Sequence, residues 1–173
     1  MFGFCGSRSL APSFAPLVAR VVSACAARGA PIAVGCARGA DEFVRAAAPS
    51  AVVFAVGSGA FGRGRGAFAA RSVALVRAVA AAGGTFVGFV SAPCPAGLAP
   101  SSSPSVCFRG LGSGSWASLA FAAGLGLPVF VFLCGTAAAL PAWPGGSWTL
   151  VEAGALAGAW RWSPSARQGA LFA

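Results

Sequence analysis

Short apolar runs alternate with longer alanine-rich stretches along most of the chain, and this alternation restricts its fold more than any other feature. The apolar runs have the length of strands, and the stretches between them carry apolar residues at helical spacing, as Leu17, Val21, Val22 and Cys25 do. Strands this apolar are typical of a parallel sheet that is covered on both faces. We therefore predict an α/β fold, a Rossmann-like doubly wound, mostly parallel sheet with helices on both faces.

The same pattern predicts the individual elements. Predicted strands cover residues 2–5, 32–36, 51–56, 86–91, 106–108 and 129–133. Predicted helices cover residues 16–28, 41–48, 68–82, 115–125 and 149–159. The Pro/Ser-rich stretch at 92–105 is predicted to be a long irregular loop, which is either functional or mobile.

The chain divides into two parts by composition. Residues 1–134 hold the regular alternation and are predicted to form one domain. Residues 135–173 are rich in Trp, Pro and Gly, and we expect them to form an extension packed on the same domain. These tryptophans either cover a flank of the sheet or form a partner surface, such as that of a homodimer.

Charged residues are few, and most of them are positive. Of the 173 residues 9% are charged, and twelve arginines against three acids give a formal net charge of +9. Residues 110–151 carry no charge, which raises the question of a membrane span. Gly and Pro recur through that stretch and its densest apolar run has the length of a strand, so we expect no spanning helix. A membrane-associated structural protein is therefore a minor alternative.

Lysine, histidine and tyrosine are absent from the sequence. A site that uses one of them as acid, base or nucleophile is excluded, which leaves Asp41, Glu42 and Glu152 as side-chain carboxylates. The six cysteines form no CxxC pair, so we expect no metal site. The first residues lack the basic segment of a signal peptide, and we expect a cytoplasmic protein with reduced, mostly buried thiols.

Three turns rich in Gly and Ser follow predicted strands, at the edge where ligands of such sheets bind. They are Gly6-Ser7-Arg8, Gly35-Cys36-Ala37-Arg38-Gly39-Ala40-Asp41 and Gly112-Ser113-Gly114-Ser115. Glycine permits close backbone approach, the arginine fork suits a phosphate, and the third turn opens a helix whose free N–H groups attract anions. Together the turns predict a phosphate-binding site.

The same turns resemble the signature of the SLOG superfamily. Residues 6–8 and 35–41 resemble its "GSR … GxAxGAD" pattern, and residues 61–72 resemble a Gly-rich segment that ends in an Arg-Asn pair, here Arg71-Ser72. Residues 112–115 and 127–131 resemble its "GSxGT" turn and "GxPVxV" strand. The superfamily includes YspA-like proteins, Lonely Guy phosphoribohydrolases and the DNA-processing protein A family. The resemblance implies a Rossmann-like fold that binds a nucleotide or a related phosphorylated molecule.

We therefore predict a site for a phosphorylated nucleotide, without cofactor or metal. The predicted ligand-binding residues are Gly6, Ser7, Arg8, Gly35, Arg38, Gly39, Ala40, Asp41, Arg71, Ser72, Gly112, Ser113, Gly114 and Ser115. The phosphoribohydrolase branch carries a catalytic Glu in "PGGxGTxxE", and residues 112–120 contain none. We expect binding without turnover; in the alternative of a phosphoribohydrolase-like enzyme, Asp41 would have to transfer the proton.

Two further interpretations are open. Asp41 is either the N-cap of the helix predicted at 41–48 or a hydrogen-bond acceptor for a ribose. The net charge of +9 and the resemblance to the DNA-processing branch favour a second function, the binding of single-stranded DNA or RNA. The Gly/Arg segment at 62–66 is either a contact to such a strand or a flexible basic lip over the phosphate site. Arg20, Arg28, Arg45 and Arg77 fall on or at the end of predicted helices and are expected to form an exposed polar face.

Overall fold

A computed structural model of the chain describes residues 1–135 and 137–165. Its strands are β1 Phe2–Gly6, β2 Ile32–Gly35, β3 Val52–Phe54, β4 Thr85–Val90, β5 Val129–Leu133, β6 Gly146–Leu150 and β7 Trp160–Pro164. Its helices are α1 Ala15–Ala26, α2 Ala40–Ala47, α3 Arg65–Ala81, α4 Pro104–Cys107 and α5 Gly114–Gly124. Short 3₁₀ turns lie at Pro12–Phe14 and Val56–Ser58.

All seven strands form one sheet in the order β3-β2-β1-β4-β5-β7-β6. The strands from β3 to β5 in this order are parallel, and β7 pairs antiparallel with both β5 and β6. The chain adds β2 and β3 on one side of β1 and then crosses to place β4 on the other side. This reversal between β1 and β4 is the point at which a doubly wound sheet opens a crevice for ligands.

Each face of the sheet carries its own core. On one face α1 and α2 pack against side chains such as Phe4, Phe89 and Phe132, whose rings stack across β1, β4 and β5. On the other face α3 and α5 cover a second cluster, and α5 lies so close to β4 that a Cβ added at Gly88 would stand 2.8 Å from Leu119. The predicted Rossmann-like fold with helices on both faces is confirmed.

Two predicted elements are wrong. The strand expected at 106–108 is replaced by α4, which begins at Pro104, a residue that favours the first turn of a helix. The helix expected at 149–159 is replaced by the end of β6 and a turn that leads to β7. Gly154 and Gly158 have positive φ angles of 82° and 87°, which a regular helix does not accommodate.

The described part of the C-terminal extension completes the sheet instead of forming a separate layer. Trp148 of β6 stands opposite Trp162 of β7, and Val129 of β5 stands opposite the same Trp162. Trp143 and Trp162 are buried against the core. These side chains therefore cover a flank of the sheet. Of the predicted extension at 135–173, residue 136 and residues 166–173 lie outside the described residues.

The loop predicted at 92–105 is irregular up to α4 and is fastened at several points. Trp116 and Trp143 donate their indole N–H groups to the carbonyl oxygens of Ala92 and Leu98, both at 2.9 Å. The amide of Ser101 donates to the carbonyl of Ala120 on α5. Over the residues that the structure describes, none of the helices combines the length and the hydropathy needed to cross a bilayer.

Candidate ligand-binding site

A cavity of about 410 Å³ opens at the carboxyl edge of the sheet, where the strand order reverses. The residue after β1, Ser7, and the residue after β4, Ser91, both line it. The amide of Ser91 donates to the hydroxyl oxygen of Ser7 at 2.9 Å, which holds the two strand ends together. The other walls come from α3, α5 and the turns that precede α2 and α5.

Most of the predicted site residues meet in this cavity. The residues that line it are Gly6, Ser7, Arg8, Asp41, Arg71, Ser72, Gly112, Ser113, Gly114 and Ser115. The other four, Gly35, Arg38, Gly39 and Ala40, do not line it. Gly39 and Ala40 instead join the turn after β1 to α2, since the amide of Ala40 donates to the carbonyl of Ser7.

A buried ion pair forms the inner wall. Nη1 of Arg71, on α3, lies 3.0 Å from Oδ2 of Asp41, on α2, and the two residues are only 6% and 4% exposed. The same Asp41 oxygen accepts from the amide of Ala37 at 3.1 Å. The interpretation of Asp41 as an N-cap is therefore wrong: Gly39 occupies that position, and the carboxylate is used to hold Arg71 and the preceding turn.

The ion pair depends on the absence of a side chain at Gly35. A Cβ added there would overlap the guanidinium of Arg71 and crowd Oδ2 of Asp41. Gly35 thus lies beneath the pair and provides the room for it.

Arg45 secures the same turn from the other side of α2. Its Nη1 donates to the carbonyl oxygens of Gly35 and Ala37, at 2.8 and 3.2 Å. Arg45 is only partly exposed, so its expected place on a solvated helix face is corrected: it braces the turn that presents Asp41.

The guanidinium of Arg71 is not fully paired. Nε of Arg71 is buried and has no hydrogen-bond partner among the described residues. A buried donor without an acceptor is unfavourable by about 1–3 kcal/mol, so such groups are rare unless a ligand or water completes them. With Nη1 held by Asp41, the Nε–Nη2 edge of the fork is the one left for an anion.

The N-terminus of α5 presents free backbone N–H groups at the same cavity. The hydroxyl of Ser113 caps the helix by accepting from the amide of Trp116 at 3.3 Å. Within residues 1–135 and 137–165, the amides of Gly114 and Ser115 donate to no protein acceptor. These N–H groups and the helix dipole favour a negative charge at the cavity wall.

Sequence reasoning missed several lining residues, among them Phe68, Ser91, Phe108 and Ser118. Phe68 supports Arg8, whose guanidinium carbon lies 4.7 Å from the centre of the Phe68 ring. Phe108 supplies a second aromatic side chain. Ser91 had a usable signal, because it is the first polar residue after the apolar run of β4. Phe68 and Phe108 had none, since isolated phenylalanines are most often core residues.

Cys5 lies on the cavity wall beside the ion pair. Burial raises the pKa of the Cys5 thiol well above its ordinary value, the Asp41 carboxylate raises it further, and the Arg71 guanidinium lowers it. Its Sγ donates to the carbonyl of Ser115 at 3.7 Å. Cys5 is therefore a protonated, structural thiol and not a nucleophile. Across the described ranges, no three His, Cys, Asp or Glu side chains cluster as a metal site.

The fold and this geometry define an α/β protein of Rossmann-like architecture with a cavity at its switch point. Comparison of the chain with models of known protein families, with curated proteins and with solved structures finds no significant match. The function is therefore argued from the cavity itself.

Proposed function

We propose that the protein is a SLOG-like domain that binds a phosphorylated nucleoside in the cavity without turning it over. The observation that carries the proposal is the buried Arg71, whose Nε is unpartnered among the described residues although the side chain lines the cavity. The cavity lies at the switch point of a doubly wound sheet, where such folds bind nucleotides.

The phosphate is expected between Arg71, Arg8 and the N-terminus of α5. Cys5 lies between these elements. Its thiol donates to the carbonyl of Ser115, and the charges of Asp41 and Arg71 both shift its pKa. The Asp41–Arg71 pair is neutral overall, so the exposed guanidinium of Arg8 supplies the net positive charge. Charge-assisted hydrogen bonds from a guanidinium and from helix amides are the usual partners of a phosphate.

The rest of the cavity suits a nucleoside. Seven serines line it: Ser7, Ser9, Ser72, Ser91, Ser113, Ser115 and Ser118. Hydroxyl groups that both donate and accept are suited to the hydroxyls of a sugar. Phe108 and the face of Phe68 that Arg8 does not cover provide aromatic surfaces for a base, since every nucleobase can stack on an aromatic ring.

The arrangement supports binding and not catalysis. Asp41 is the only one of the chain's three acids, all of them within the described residues, that lines the cavity. Its Oδ2 accepts from Arg71 and from the amide of Ala37, so this oxygen positions the arginine and only Oδ1 is left to take a proton. A general base has to reach the proton that it removes.

A thermal-shift panel of nucleoside mono-, di- and cyclic phosphates tests the proposal. At about 100 times its Kd a ligand adds about 2.7 kcal/mol to stability, which raises Tm by roughly 5–10 °C for a chain of this size. Arg8→Ala is expected to remove most of the shift while leaving the unliganded Tm nearly unchanged, because Arg8 is exposed.

Arg28→Ala is the matched control. It removes the same charge from an exposed site between α1 and β2, at the opposite edge of the sheet. If no nucleotide in the panel changes Tm, or if both variants reduce the shift equally, the cavity is not a nucleotide site.

A further inference from the structure

Strand β3 forms one edge of the sheet, and its side chains are exposed on both faces. Val52 and Val53 are 50% and 43% exposed, and because successive residues of a strand point to opposite faces, one valine is exposed on each. Phe54 shares the face of Val52 and packs on the core beneath α3. Ala51 shares the face of Val53 and packs on the core beneath α1 and α2. Each core therefore ends at β3 in an exposed valine.

This edge lacks the usual protection against pairing with another strand. Exposed edge strands commonly carry charged side chains or a proline, which prevent such pairing. β3 contains neither, and no residue between Arg45 and Arg63 is charged. Arg45 itself holds the turn after β2 with its guanidinium. The edge strand on the other side of the sheet, β6, differs from β3 because it exposes the polar side chains of Ser147 and Thr149.

Charge favours a second copy of this chain as the partner at β3. Two proteins that each carry a net charge of +9 repel each other, so two copies approach each other most easily through a surface without charges. β3 and the ring of Phe61, which stacks on Phe54 with ring centres 6.4 Å apart, provide such a surface. An acidic partner would be drawn instead to the arginines elsewhere on the chain.

We propose that two copies of the chain pair through β3 and form a symmetric dimer with one continuous sheet. A two-fold axis perpendicular to the sheet makes the two β3 strands antiparallel, which is the commonest arrangement of paired strands. The same axis keeps α3 of both protomers on one face and α2 of both on the other. The valines of one protomer then cover those of its partner on each face, and the unpaired backbone groups of both edges gain hydrogen bonds.

The length of the strand limits the strength of this dimer. β3 contains three residues, and Ala55 continues it in an extended conformation with a φ of −103° and a ψ of 123°. A joint of about four paired residues and the side chains beside them is smaller than a standard interface, which has about 20–30 residues on each side. We therefore expect a reversible dimer with a Kd of roughly 1–100 μM.

Sedimentation velocity of the full chain, from about 1 to 300 μM, measures this equilibrium. The sedimentation coefficient is expected to rise from that of a monomer to that of a dimer over this range. Because repulsion between the two basic protomers opposes the dimer, raising the salt concentration from about 0.05 to 0.5 M should lower the Kd at least about twofold. An interface held by ion pairs would weaken under the same change.

Val53→Lys and Ser147→Lys form a matched pair of variants. Each adds one positive charge at an exposed position of an edge strand, the first on β3 and the second on β6, where Ser147 stands opposite Ser163. In the dimer Val53→Lys brings two ammonium groups together, and it should raise the Kd at least about 100-fold. Ser147→Lys should change it less than about threefold. Val52→Lys places the charge on the other face of β3 and replaces Val53→Lys if that variant does not fold.

Hydrogen exchange separates strand pairing from a contact between side chains alone. The amides of β3 should exchange at least about fivefold more slowly at about 300 μM than at about 1 μM, because the dimer gives the free edge hydrogen-bond acceptors. The amides of β6 should exchange at the same rate at both concentrations.

The inference is overturned if the chain stays a monomer up to about 300 μM at both salt concentrations, which would leave this edge to a strand of a different protein. It is also overturned if salt weakens the dimer, if the β3 and β6 variants change the Kd alike, or if exchange in β3 does not depend on concentration.

Discussion

Substituting Gly35 tests whether the Asp41–Arg71 pair organises the site. In Gly35→Ala the new methyl group would occupy the place of the Arg71 guanidinium, so the arginine has to leave its pair. Asp41, which is 4% exposed, then keeps the amide of Ala37 as its partner but loses the opposite charge. Breaking a buried ion pair destabilises a protein by about 3–5 kcal/mol.

A smaller term opposes this loss. Replacing glycine by alanine restricts the unfolded chain and stabilises the folded one by about 0.4–1 kcal/mol. The net loss for Gly35→Ala is therefore about 2–4.6 kcal/mol, a large part of the roughly 5–15 kcal/mol that folded domains have. Urea denaturation followed by tryptophan fluorescence measures it. Gly66→Ala, at an exposed position of α3 with no atom within 4 Å, is the control and is expected to be neutral or slightly stabilising.

A double-mutant cycle gives the decisive comparison. In a background that carries Asp41→Ala and Arg71→Ala, the methyl group at position 35 meets no guanidinium, and its effect on stability should fall below about 1 kcal/mol. An equal loss in both backgrounds, or a loss below about 1 kcal/mol in the natural chain, would refute the view that Gly35 exists to make room for the pair.

Three further outcomes are expected. Burial raises the pKa values of the Cys25 and Cys134 thiols from 9.0 to about 11, so the unfolded chain loses these protons first and stability falls as pH rises from 9.0 to about 11. These two thiols contribute at most about 3 kcal/mol per pH unit to the slope, and urea titrations in which Cys25→Ala leaves the slope unchanged would contradict it. Trp143→Phe removes the hydrogen bond to the carbonyl of Leu98 and should destabilise by about 1–3 kcal/mol, with faster amide exchange in the 92–103 loop; unchanged exchange there would contradict the fastening. Incubation with a nucleoside monophosphate should release no free base and no ribose 5-phosphate, and a release that Asp41→Asn abolishes would show that the protein is an enzyme.

The regular half of the fold was predictable from the sequence. The predicted strand at 129–133 coincides with β5, and the other buried strands and long helices agree to within three residues. Apolar runs bounded by glycine determine these elements locally, because a strand that is buried on both faces can be recognised from its own continuous apolar run. The same regularity places Gly6, Ser7 and the turn before α5 at one edge, which is why most of the predicted site residues meet in one cavity.

The features that the sequence did not predict depend on contacts between residues that are distant in the chain. The helix expected at 149–159 has helix-compatible composition, but residues 149–150 continue β6 and pair with β7, where Trp148 stands opposite Trp162. An alternation such as Trp160-Arg161-Trp162 was the available signal for a strand. Asp41 and Arg71 lie 30 positions apart, and no local pattern shows that they form a buried pair.

The tryptophan cluster gives the molecule an optical signature of its own. The rings of Trp116, Trp143, Trp148 and Trp162 lie 5.1–6.0 Å apart in a chain of contacts, close enough for their excited states to couple. Trp148 and Trp162 couple once β6 and β7 pair, whereas Trp143 and Trp116 join them only when the segment before β6 and α5 are packed in place. Circular dichroism in the tryptophan bands therefore reports the closure of the antiparallel side of the sheet separately from helix formation. Trp116 also donates to the carbonyl of Ala92, a residue that lines the cavity, so a ligand that displaces Ala92 is expected to change the same bands.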